Sequence, residues 1–286
     1  MTILVTGSSG FIGTNLVNYL NNKKIKFIAI DKRKNKYFKL KNFYKIDLNN
    51  LKKTKEIIYK NKIRQIIHLA AIPGFVNCHL NPESAFNDNI KSTFNLLLAT
   101  KNTEVKKILL ASSMGVDNFN KSPSFYGFTK LVCENLSKTF NTNYKTDITI
   151  CKISNVFGPY SLHKSSSVHA FIKNILRNKK VRIHKNGQQK RDFIFVEKVC
   201  EKLTNSVLSK SKKKYILINT NKFFKIIDIA KTLVRISKKK ISYDFVETPK
   251  GYDDKVYRKP FKKIKIGLIK NLETTYYWYK RNSKKI

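Results

Sequence analysis

The chain has 286 residues and a mass of 33.3 kDa, enough to bury a large core in one or two domains. Its hydrophobic content is 41%, and no apolar run approaches the roughly 18 residues of a membrane span. The formal net charge of +41 is that of a nucleic-acid or membrane-surface binder. The basic residues are mostly lysines, and they are spread along the whole chain without a long basic block. We therefore attribute the charge to a general bias in amino-acid composition and expect no specific nucleic-acid partner.

The cysteines predict a reducing compartment. Cys78, Cys133, Cys151 and Cys200 are far apart and form no Cys-x-x-Cys pair. This pattern indicates reduced thiols in a cytoplasmic protein and no metal site. The chain opens on an apolar, β-rich run, which we interpret as a strand entering the fold and not as a signal peptide.

That opening run predicts a nucleotide-binding turn. The run Thr2–Thr6 is followed by Gly7, Gly10 and Gly13, and then by a stretch with helical spacing. Glycines let the backbone approach a pyrophosphate, and the N-terminus of the following helix supplies N–H donors. The spacing here is G-x-x-G-x-x-G, which differs from the commoner G-x-G-x-x-G.

A second apolar run, Phe27–Ile30, ends at Asp31. An acidic residue at this point accepts hydrogen bonds from an adenosine ribose and repels a 2′-phosphate, so it favours NAD over NADP. Lys32 and Arg33 follow at once and weaken this preference, because cations there are able to hold a 2′-phosphate.

The first 155 residues alternate strand and helix patterns, which predicts an α/β fold with a Rossmann-type, doubly wound parallel sheet. The predicted strands are Thr2–Thr6, Lys26–Ile30, Phe43–Ile46, Gln65–Leu69, Lys107–Ala111 and Ile148–Ile153. The predicted helices are Phe11–Asn22, Leu51–Asn61, Pro82–Lys101 and Phe125–Asn143. Ligands of such sheets bind beyond the carboxyl ends of the strands. The glycine turn, Asp31, His68–Ala71, Ser112–Ser113 and Asn155 all fall at those ends.

From about residue 156 the pattern is less regular and predicts a small α/β C-terminal lobe. Helices are expected at Val168–Asn178, Val196–Leu208 and Lys225–Ser237, and strands at Arg182–His184, Asp192–Val196 and Tyr215–Asn219. We expect residues 1–155 to form an NAD-binding Rossmann domain completed by segments near 191–220. Residues 156–190 and 221–286 would then form the smaller, substrate-binding lobe.

Tyr126 and Lys130 are spaced to share one face of a helix. A free tyrosine has a pKa of about 10, and a neighbouring ammonium lowers it by favouring the phenolate. Such a pair is a proton-transfer group suited to an alcohol. The spacing is common in helices by chance, so its weight comes from the upstream glycine turn and Asp31.

Together these motifs resemble the extended short-chain dehydrogenase/reductase family, in its sugar-nucleotide epimerase/dehydratase branch, along nearly the whole chain. The matching segments are Thr6–Gly13, Asp31, Asp47–Leu48, His68–Ala71, Asn89–Asn95, Ser112–Ser113, Tyr126–Lys130, Asn155–Pro159 and Gly187–Val196. Ser92 replaces a glycine that is usual in the family. The family's C-terminal Arg-Pro-Gly-Asp-type motif is not clear, and Pro249–Asp253 or Tyr257–Pro260 are candidates for it.

The resemblance implies roles for individual residues. Tyr126 would accept the proton of a sugar hydroxyl, Lys130 would lower its pKa and bind the nicotinamide ribose, and Ser113 would bind the reacting oxygen. An NAD site is implied at Gly7, Gly10, Phe11, Ile12, Gly13, Asp31, Asp47, Leu48, Leu69, Ala70, Ala71, Asn89, Tyr126 and Lys130. Asn155 and Arg191 would hold the diphosphate of a nucleotide-sugar substrate. A homodimer formed through the helices Pro82–Lys101 and Phe125–Asn143 is also implied.

The residues after Ser113 bear on the reaction. Dehydratases and decarboxylases of the family carry an acidic residue there, whereas this chain has Met114 and Gly115, which transfer no proton. We therefore expect a UDP-hexose 4-epimerase-like enzyme that oxidises the sugar to a 4-keto intermediate and re-reduces it with NAD. The alternatives are a dehydratase or reductase with the same Tyr/Lys site and, more remotely, a non-catalytic basic Rossmann-fold binding protein. The sugar is left open.

Overall fold

The computed structural model describes residues 2–118, 123–144, 146–247 and 265–285. The candidate C-terminal segments Pro249–Asp253 and Tyr257–Pro260 lie outside the described residues. The chain divides into two compact units, Met1–Ile153 with Glu197–Ile218, and Ser154–Val196 with Asn219–Ile286.

The strands are short, with several of only three or four residues. They are β1 (Ile3–Thr6), β2 (Phe27–Asp31), β3 (Phe43–Lys45), β4 (Gln65–His68), β5 (Lys107–Ser113), β6 (Asp147–Ile153), β7 (Asn155–Phe157), β8 (Val181–His184), β9 (Lys190–Phe195), β10 (Tyr215–Ile218), β11 (Phe223–Lys225) and β12 (Tyr243–Val246).

The helices alternate with these strands in the first half of the chain. They are α1 (Phe11–Asn22), α2 (Leu51–Lys60), α3 (Phe75–Leu80), α4 (Pro82–Ala85), α5 (Ser92–Thr100), α6 (Phe125–Tyr144), α7 (Ser167–Leu176), α8 (Val196–Leu208), α9 (Ile226–Ser237) and α10 (Ile266–Arg281). Met114–Asn118 and Ser283–Lys285 form 3₁₀ turns. None of the helices within the described ranges combines the length and the apolar character needed to cross a bilayer.

The first unit is built on a seven-stranded parallel sheet in the order β10-β6-β5-β4-β1-β2-β3. The predicted Rossmann-type α/β fold is thereby confirmed. From β1 the chain adds β2 and β3 on one side of the sheet, and it then adds β4, β5 and β6 on the other side. The point between β1 and β4 is therefore a topological switch point, and ligands of such folds bind at the carboxyl ends of the strands beside it. Leu4, Ile30, Ile66, Leu96 and Ile108 belong to the buried core around these strands.

The predicted helix Pro82–Lys101 is helical throughout residues 82–100, but its middle part is not α-helical. A π-helical segment, Phe86–Lys91, joins α4 to α5. Here the hydroxyls of Ser92 and Thr93 donate to the carbonyls of Asp88 and Asn89 at 2.6 and 2.5 Å. Hydroxyl groups that bond to carbonyls of the preceding turn compete with the backbone N–H groups, and a widened turn is one result.

The second unit contains a three-stranded sheet, β11-β9-β7, and a two-stranded sheet, β12-β8. Strand β9 pairs with β7 in parallel and with β11 in antiparallel orientation. Residues 191–196, which we had placed with the Rossmann domain, therefore belong to the second unit. By contrast, β10 joins the first sheet through parallel pairing with β6.

All four cysteines are buried free thiols. Burial raises the pKa of Cys78 to about 11 and of Cys151 to about 12, so both are neutral thiols near pH 7.

Candidate active site

The glycine turn brings two stretches of backbone into contact. Gly7 has φ +68°, and a Cβ at this residue would lie 2.6 Å from the Ala70 nitrogen. A Cβ on Gly13 would lie 2.0 Å from the Gly7 carbonyl oxygen. Only glycine is compatible with these approaches. Helix α1 begins at Phe11, with Gly10 as a cap residue that contributes no side-chain hydrogen bond. A helix N-terminus of this kind fits a pyrophosphate.

Asp31, the last residue of β2, is held beside this turn. Its carboxylate accepts hydrogen bonds from the backbone N–H of Ser9 at 3.0 Å and of Arg33 at 2.9 Å. The ammonium of Lys32 forms an ion pair with Asp88 of the π-helical segment. Of the two cations that weaken the sequence preference for NAD, Lys32 is thus matched by a neighbouring carboxylate.

The remaining predicted cofactor residues follow the carboxyl ends of strands in the first unit. Leu69 and Ala70 follow β4, and their N–H groups donate to the carbonyl and the hydroxyl oxygen of Thr6 at 3.2 and 3.4 Å. Asp47, after β3, accepts from the Asn49 N–H at 2.8 Å. Leu48 is buried, Ala71 lies next to Ala70, and Ile12 is in the first turn of α1.

A buried polar relay, formed by Thr6, His68, Thr93 and Asn89, starts at the end of β1. The Thr6 hydroxyl lies 2.6 Å from His68 Nδ1, and His68 Nε2 lies 3.0 Å from the Thr93 hydroxyl. The Thr93 hydroxyl donates to the Asn89 carbonyl at 2.5 Å. Burial and, to a lesser extent, the positive charge of Lys130 lower the pKa of His68 to about 3, so its ring is neutral. Because the Thr93 hydroxyl donates to Asn89, His68 Nε2 donates to Thr93 and Nδ1 accepts from Thr6.

Asn89 continues the relay toward α6. Its side-chain oxygen accepts from the Ile72 N–H at 2.6 Å, and its nitrogen donates to the Thr129 hydroxyl at 3.0 Å. The Thr129 hydroxyl donates to the Tyr126 carbonyl at 2.9 Å. Asn89 is buried, and its amide is used inside the protein. The amide thus holds the backbone after β4 and the start of α6, and a part for Asn89 in a cofactor site stays a prediction.

Tyr126 and Lys130 lie in the first two turns of α6, as the spacing predicts. Ser124 precedes the helix, and its hydroxyl accepts from the Gly127 N–H at 3.0 Å, which satisfies one of the unpaired first-turn donors. The Lys130 ammonium is buried and donates to the Ala111 carbonyl of β5 at 2.9 Å. Tyr126 shares a hydrogen bond with Ser113, the last residue of β5.

Burial raises the pKa of Tyr126 to about 12, while the Ser113 hydrogen bond acts in the lowering direction. This outcome is opposite to the lowering that the Tyr/Lys spacing predicts. The phenol lies in a low-dielectric site that disfavours the phenolate, and burial also lowers the pKa of Lys130. The protein alone therefore holds Tyr126 as a neutral phenol at neutral pH.

Sequence reasoning missed Glu134, one helical turn beyond Lys130. Its side chain is 3% exposed. One carboxylate oxygen accepts from the Ser112 hydroxyl at 2.5 Å, and the other lies 3.9 Å from the Lys152 ammonium of β6. The available signal was the spacing itself, since residues 126, 130 and 134 repeat every four positions along one helix face.

The two predicted substrate residues lie on neighbouring strands of the second unit. Asn155 begins β7, is exposed, and donates from its side chain to the Asp192 carbonyl at 3.1 Å. Arg191 lies on β9 and donates from its guanidinium to the Lys190 carbonyl at 2.9 Å. Whether these side chains hold a diphosphate stays a prediction.

Asp192, which lies in the matching segment Gly187–Val196 but was assigned no role, organises this part of the second unit. Its buried carboxylate accepts from the Ser154 hydroxyl at 2.9 Å and from the N–H groups of Thr220 and Lys222 at 3.1 Å. These bonds tie β9 to the segments that precede β7 and β11. Asp192 thus fixes the backbone on which Asn155 and Arg191 stand.

Comparison with known proteins bears on this arrangement. Over 98% of its length the chain is 29% identical to a UDP-glucuronate 4-epimerase from Thermodesulfobacterium geofontis, of which the match covers 96%. A UDP-glucose 4-epimerase from Thermotoga maritima, solved with UDP-glucose, superposes with a TM-score of 0.86 at 22% identity, covering 99% of this chain and 100% of that one. That likeness concerns the fold.

A UDP-glucuronic acid 4-epimerase from Bacillus cereus, solved with UDP-glucuronic acid and NAD, superposes with a TM-score of 0.82 at 25% identity. The match covers 99% of this chain and 100% of that one. Residues 3–216 match the model of the NAD dependent epimerase/dehydratase family. This segment carries the glycine turn, Asp31, Ser113 and the Tyr126/Lys130 pair. The chain therefore belongs to the NAD dependent epimerase/dehydratase family.

Proposed function

We propose that the protein epimerises a UDP-hexose at C4, with NAD as a resident cofactor. The observation that carries the proposal is the set of Ser113, Tyr126 and Lys130, assembled where β5 meets α6 in the same unit as the glycine turn. The similarity to a UDP-glucuronate 4-epimerase over 98% of the chain supports it. We use UDP-hexose here to include the uronate and the N-acetylhexosamine, and the experiment below decides among the three.

Oxidation of an alcohol carbon requires loss of the hydroxyl proton as the hydride leaves, so a base must face the reacting C–H/O–H unit. Tyr126 is placed to take this proton, with Ser113 as a hydrogen-bond donor beside it. NAD, when bound, would accept the hydride and return it, and its positive nicotinamide ring would favour the phenolate. Lys130 contributes its ammonium, fixed on the Ala111 carbonyl.

The segment after Ser113 supports epimerisation over dehydration. The Gly115 N–H donates to the Ser113 hydroxyl at 3.1 Å, so the chain turns back immediately after β5. Neither Met114 nor Gly115 has a group that transfers protons. The next acidic side chain, Asp117, is paired with Lys152. An additional acid or base for elimination is thus not offered by this turn.

The proposal is tested by incubating the purified protein with NAD and, separately, UDP-glucose, UDP-glucuronate and UDP-N-acetylglucosamine, and following C4 interconversion by NMR. We expect one of them to be interconverted without net consumption of NAD. Tyr126→Phe, which removes the base, should lower the rate by about 10²–10⁴-fold and leave NAD binding intact.

Two other outcomes would replace the proposal. Stoichiometric consumption of the cofactor would show a reductase. Absence of both turnover and NAD binding, together with RNA affinity that falls steeply with salt, would show a nucleic-acid-binding protein.

We also propose a homodimer formed through the helices that were predicted to pair. Phe86, Phe94, Phe128 and Tyr144, on the π-helical segment, α5 and α6, are 48, 39, 39 and 44% exposed. Exposed aromatic side chains on adjoining elements are typical of a protein interface. Light scattering at micromolar concentration should give twice the chain mass, and a monomer mass would refute the proposal. The cytoplasmic location expected from the cysteines stays a prediction.

A further inference from the structure

We propose that Glu134 is a positioning residue, which locks α6 onto β5 through Ser112 and places a negative charge on the helix face that carries Lys130. The inference rests on the proposed function, because it assigns Glu134 a part in the same Tyr126/Lys130 site.

Strand β5 and helix α6 are matched residue by residue. Three consecutive residues of β5 each bind one residue of α6. The Ala111 carbonyl accepts from Lys130 at 2.9 Å, and the Ser112 hydroxyl donates to Glu134 at 2.5 Å. Ser113 is hydrogen-bonded to Tyr126. The Ser112–Glu134 bond is thus the contact that fixes the position of α6 along β5 and does not involve Ser113, Tyr126 or Lys130.

Few of the titratable groups around Lys130 are able to carry a negative charge. The groups that act on it are His68 of β4, Cys78 of α3, and Cys133 and Glu134 of its own helix, and Tyr126 lies one turn before it on α6. Lys152 and Asp117 lie farther along the same cluster, beyond Glu134. Near pH 7 His68 is neutral, and burial raises the pKa of Cys78, Cys133 and Tyr126, which keeps them protonated. Within the described part of the chain, Glu134 is therefore the carboxyl group of this set, and one of its oxygens lies 3.9 Å from the Lys152 ammonium.

Burial of the Lys130 ammonium disfavours its charged form. A desolvated ammonium loses its proton more easily unless an opposite charge lies nearby. Burial lowers the pKa of Lys130, and the negative charge of Glu134 acts in the opposite direction. Residues four apart lie on one face of a helix, so the carboxylate acts on the ammonium as a neighbouring charge while its own contacts are with Ser112 and Lys152.

The test separates charge from shape. Glu134→Gln keeps an oxygen that accepts from Ser112 and removes the charge. We expect Lys130 to deprotonate more easily, so the high-pH limb of the kcat/KM profile moves down by about one pH unit. NAD affinity, measured by calorimetry at pH 8 to 9, should fall several-fold, since Lys130 is predicted to hold the nicotinamide ribose. Ser112→Ala, which keeps the charge and loses the hydrogen bond, should lower kcat without moving the limb.

Glu201→Gln is the matched control. It removes one carboxylate of the same chemistry from α8 of the same unit, where the side chain is 40% exposed and paired with Lys198. Neither the limb nor NAD affinity should move in this variant. A Glu134→Gln protein with unchanged pH limb and unchanged NAD affinity would overturn the inference.

If the wild-type protein interconverts none of the UDP-sugars, the proposed function fails. The NAD affinities of the three variants then still decide the role of Glu134. Thermal melting of each variant shows whether a loss is one of folding. If Glu134→Gln does not fold, the comparison of Ser112→Ala with Glu201→Gln still tests whether the Ser112–Glu134 bond fixes α6 against β5. Equal kcat values in these two variants would overturn that part of the proposal.

Discussion

The two units hold their predicted site residues in different ways. In the first, the backbone of the glycine turn and one face of α6 present the groups, and the required approach distances exclude all side chains at Gly7 and Gly13. In the second, Asn155 and Arg191 stand on short strands whose arrangement depends on the buried carboxylate of Asp192. In a helix the spacing of residues in the sequence directly determines which side chains lie together. A carboxylate that binds N–H groups of loops produces no repeating pattern in the sequence, so its role cannot be predicted in this way.

The largest expected effect on cofactor binding comes from breaking the backbone contact of the first unit. In Gly13→Ala the new Cβ would meet the Gly7 carbonyl at 2.0 Å, so the turn must move. Overpacking of this kind costs about 3 kcal/mol, which corresponds to about 100-fold in NAD affinity measured by calorimetry. Gly267→Ala in α10 is the control, because a Cβ there meets nothing within 4 Å. Equal losses of NAD affinity in both variants would contradict the explanation.

The matching change in the second unit is Asp192→Asn. The amide keeps one oxygen but loses the charge and presents N–H donors to the N–H groups of Thr220 and Lys222. Hydrogen bonds to a charged group contribute about 1.5–3 kcal/mol, so we expect a loss of about 2 kcal/mol in urea unfolding, with weaker UDP binding. NAD affinity should stay unchanged. A fall in NAD affinity as large as that in Gly13→Ala would contradict the prediction that the first unit binds NAD independently of the second.

Asp244→Asn is the control for this experiment. Asp244 forms an exposed ion pair with Arg182 at 3.6 Å in the same unit. Exposed pairs of this kind contribute from zero to about 1 kcal/mol, so unfolding should change little.

The fold was predictable where periodicity was long. The alternating pattern gave β1 to β6 and the main helices to within a few residues, because buried parallel strands and amphipathic helices repeat their apolar positions. Strands β7 and β11 have three residues each, too short for a period to show. The sheet that a strand joins is a tertiary property, and for this reason β9 was assigned to the wrong unit.

The candidate site was predictable in its spacing and not in its electrostatics. The positions of Tyr126 and Lys130 on one helix followed from the sequence. The direction of the Tyr126 pKa was predicted wrongly, because desolvation depends on everything that packs around the phenol. Glu134 and Asp192 were missed for a related reason, since their partners are distant in sequence or are backbone N–H groups.

The buried relay of the first unit predicts a pH dependence of stability. Unfolded His68 has an ordinary pKa of 6.5, and the folded value is lowered to about 3. Between these values the unfolded chain binds a proton that the folded chain does not. The free energy of unfolding therefore falls as pH drops from 6.5 toward 3, by up to about 1.4 kcal/mol per pH unit from this residue. His68→Asn should remove that contribution, as measured by urea unfolding across the range.

His79→Asn is the control, since His79 is exposed and stacks on Phe75. It should keep the wild-type slope. If His68→Asn also keeps the slope, the relay is not the source of acid sensitivity in the first unit.

The smallest expected effect concerns the choice between NAD and NADP. Asp31→Asn keeps an oxygen that accepts from Ser9 or Arg33 but no longer repels a 2′-phosphate. One charge in a hydrated site is worth about 1 kcal/mol, so the ratio of NAD to NADP affinity should fall about fivefold. Asp88→Asn leaves Asp31 intact and releases Lys32 from its ion pair, and it should shift the ratio in the same direction by a smaller amount.

Glu83→Gln, an exposed carboxylate on α4, controls for net charge and should leave that ratio unchanged. Measurements at two salt concentrations sharpen the interpretation, because salt screens a repulsion between exposed charges but hardly affects a hydrogen bond. If the ratio of NAD to NADP affinity is unchanged in Asp31→Asn at both concentrations, the carboxylate acts by holding the N–H groups of Ser9 and Arg33. Cofactor choice would then be another property of the backbone turn, and the contrast between the two units would become sharper.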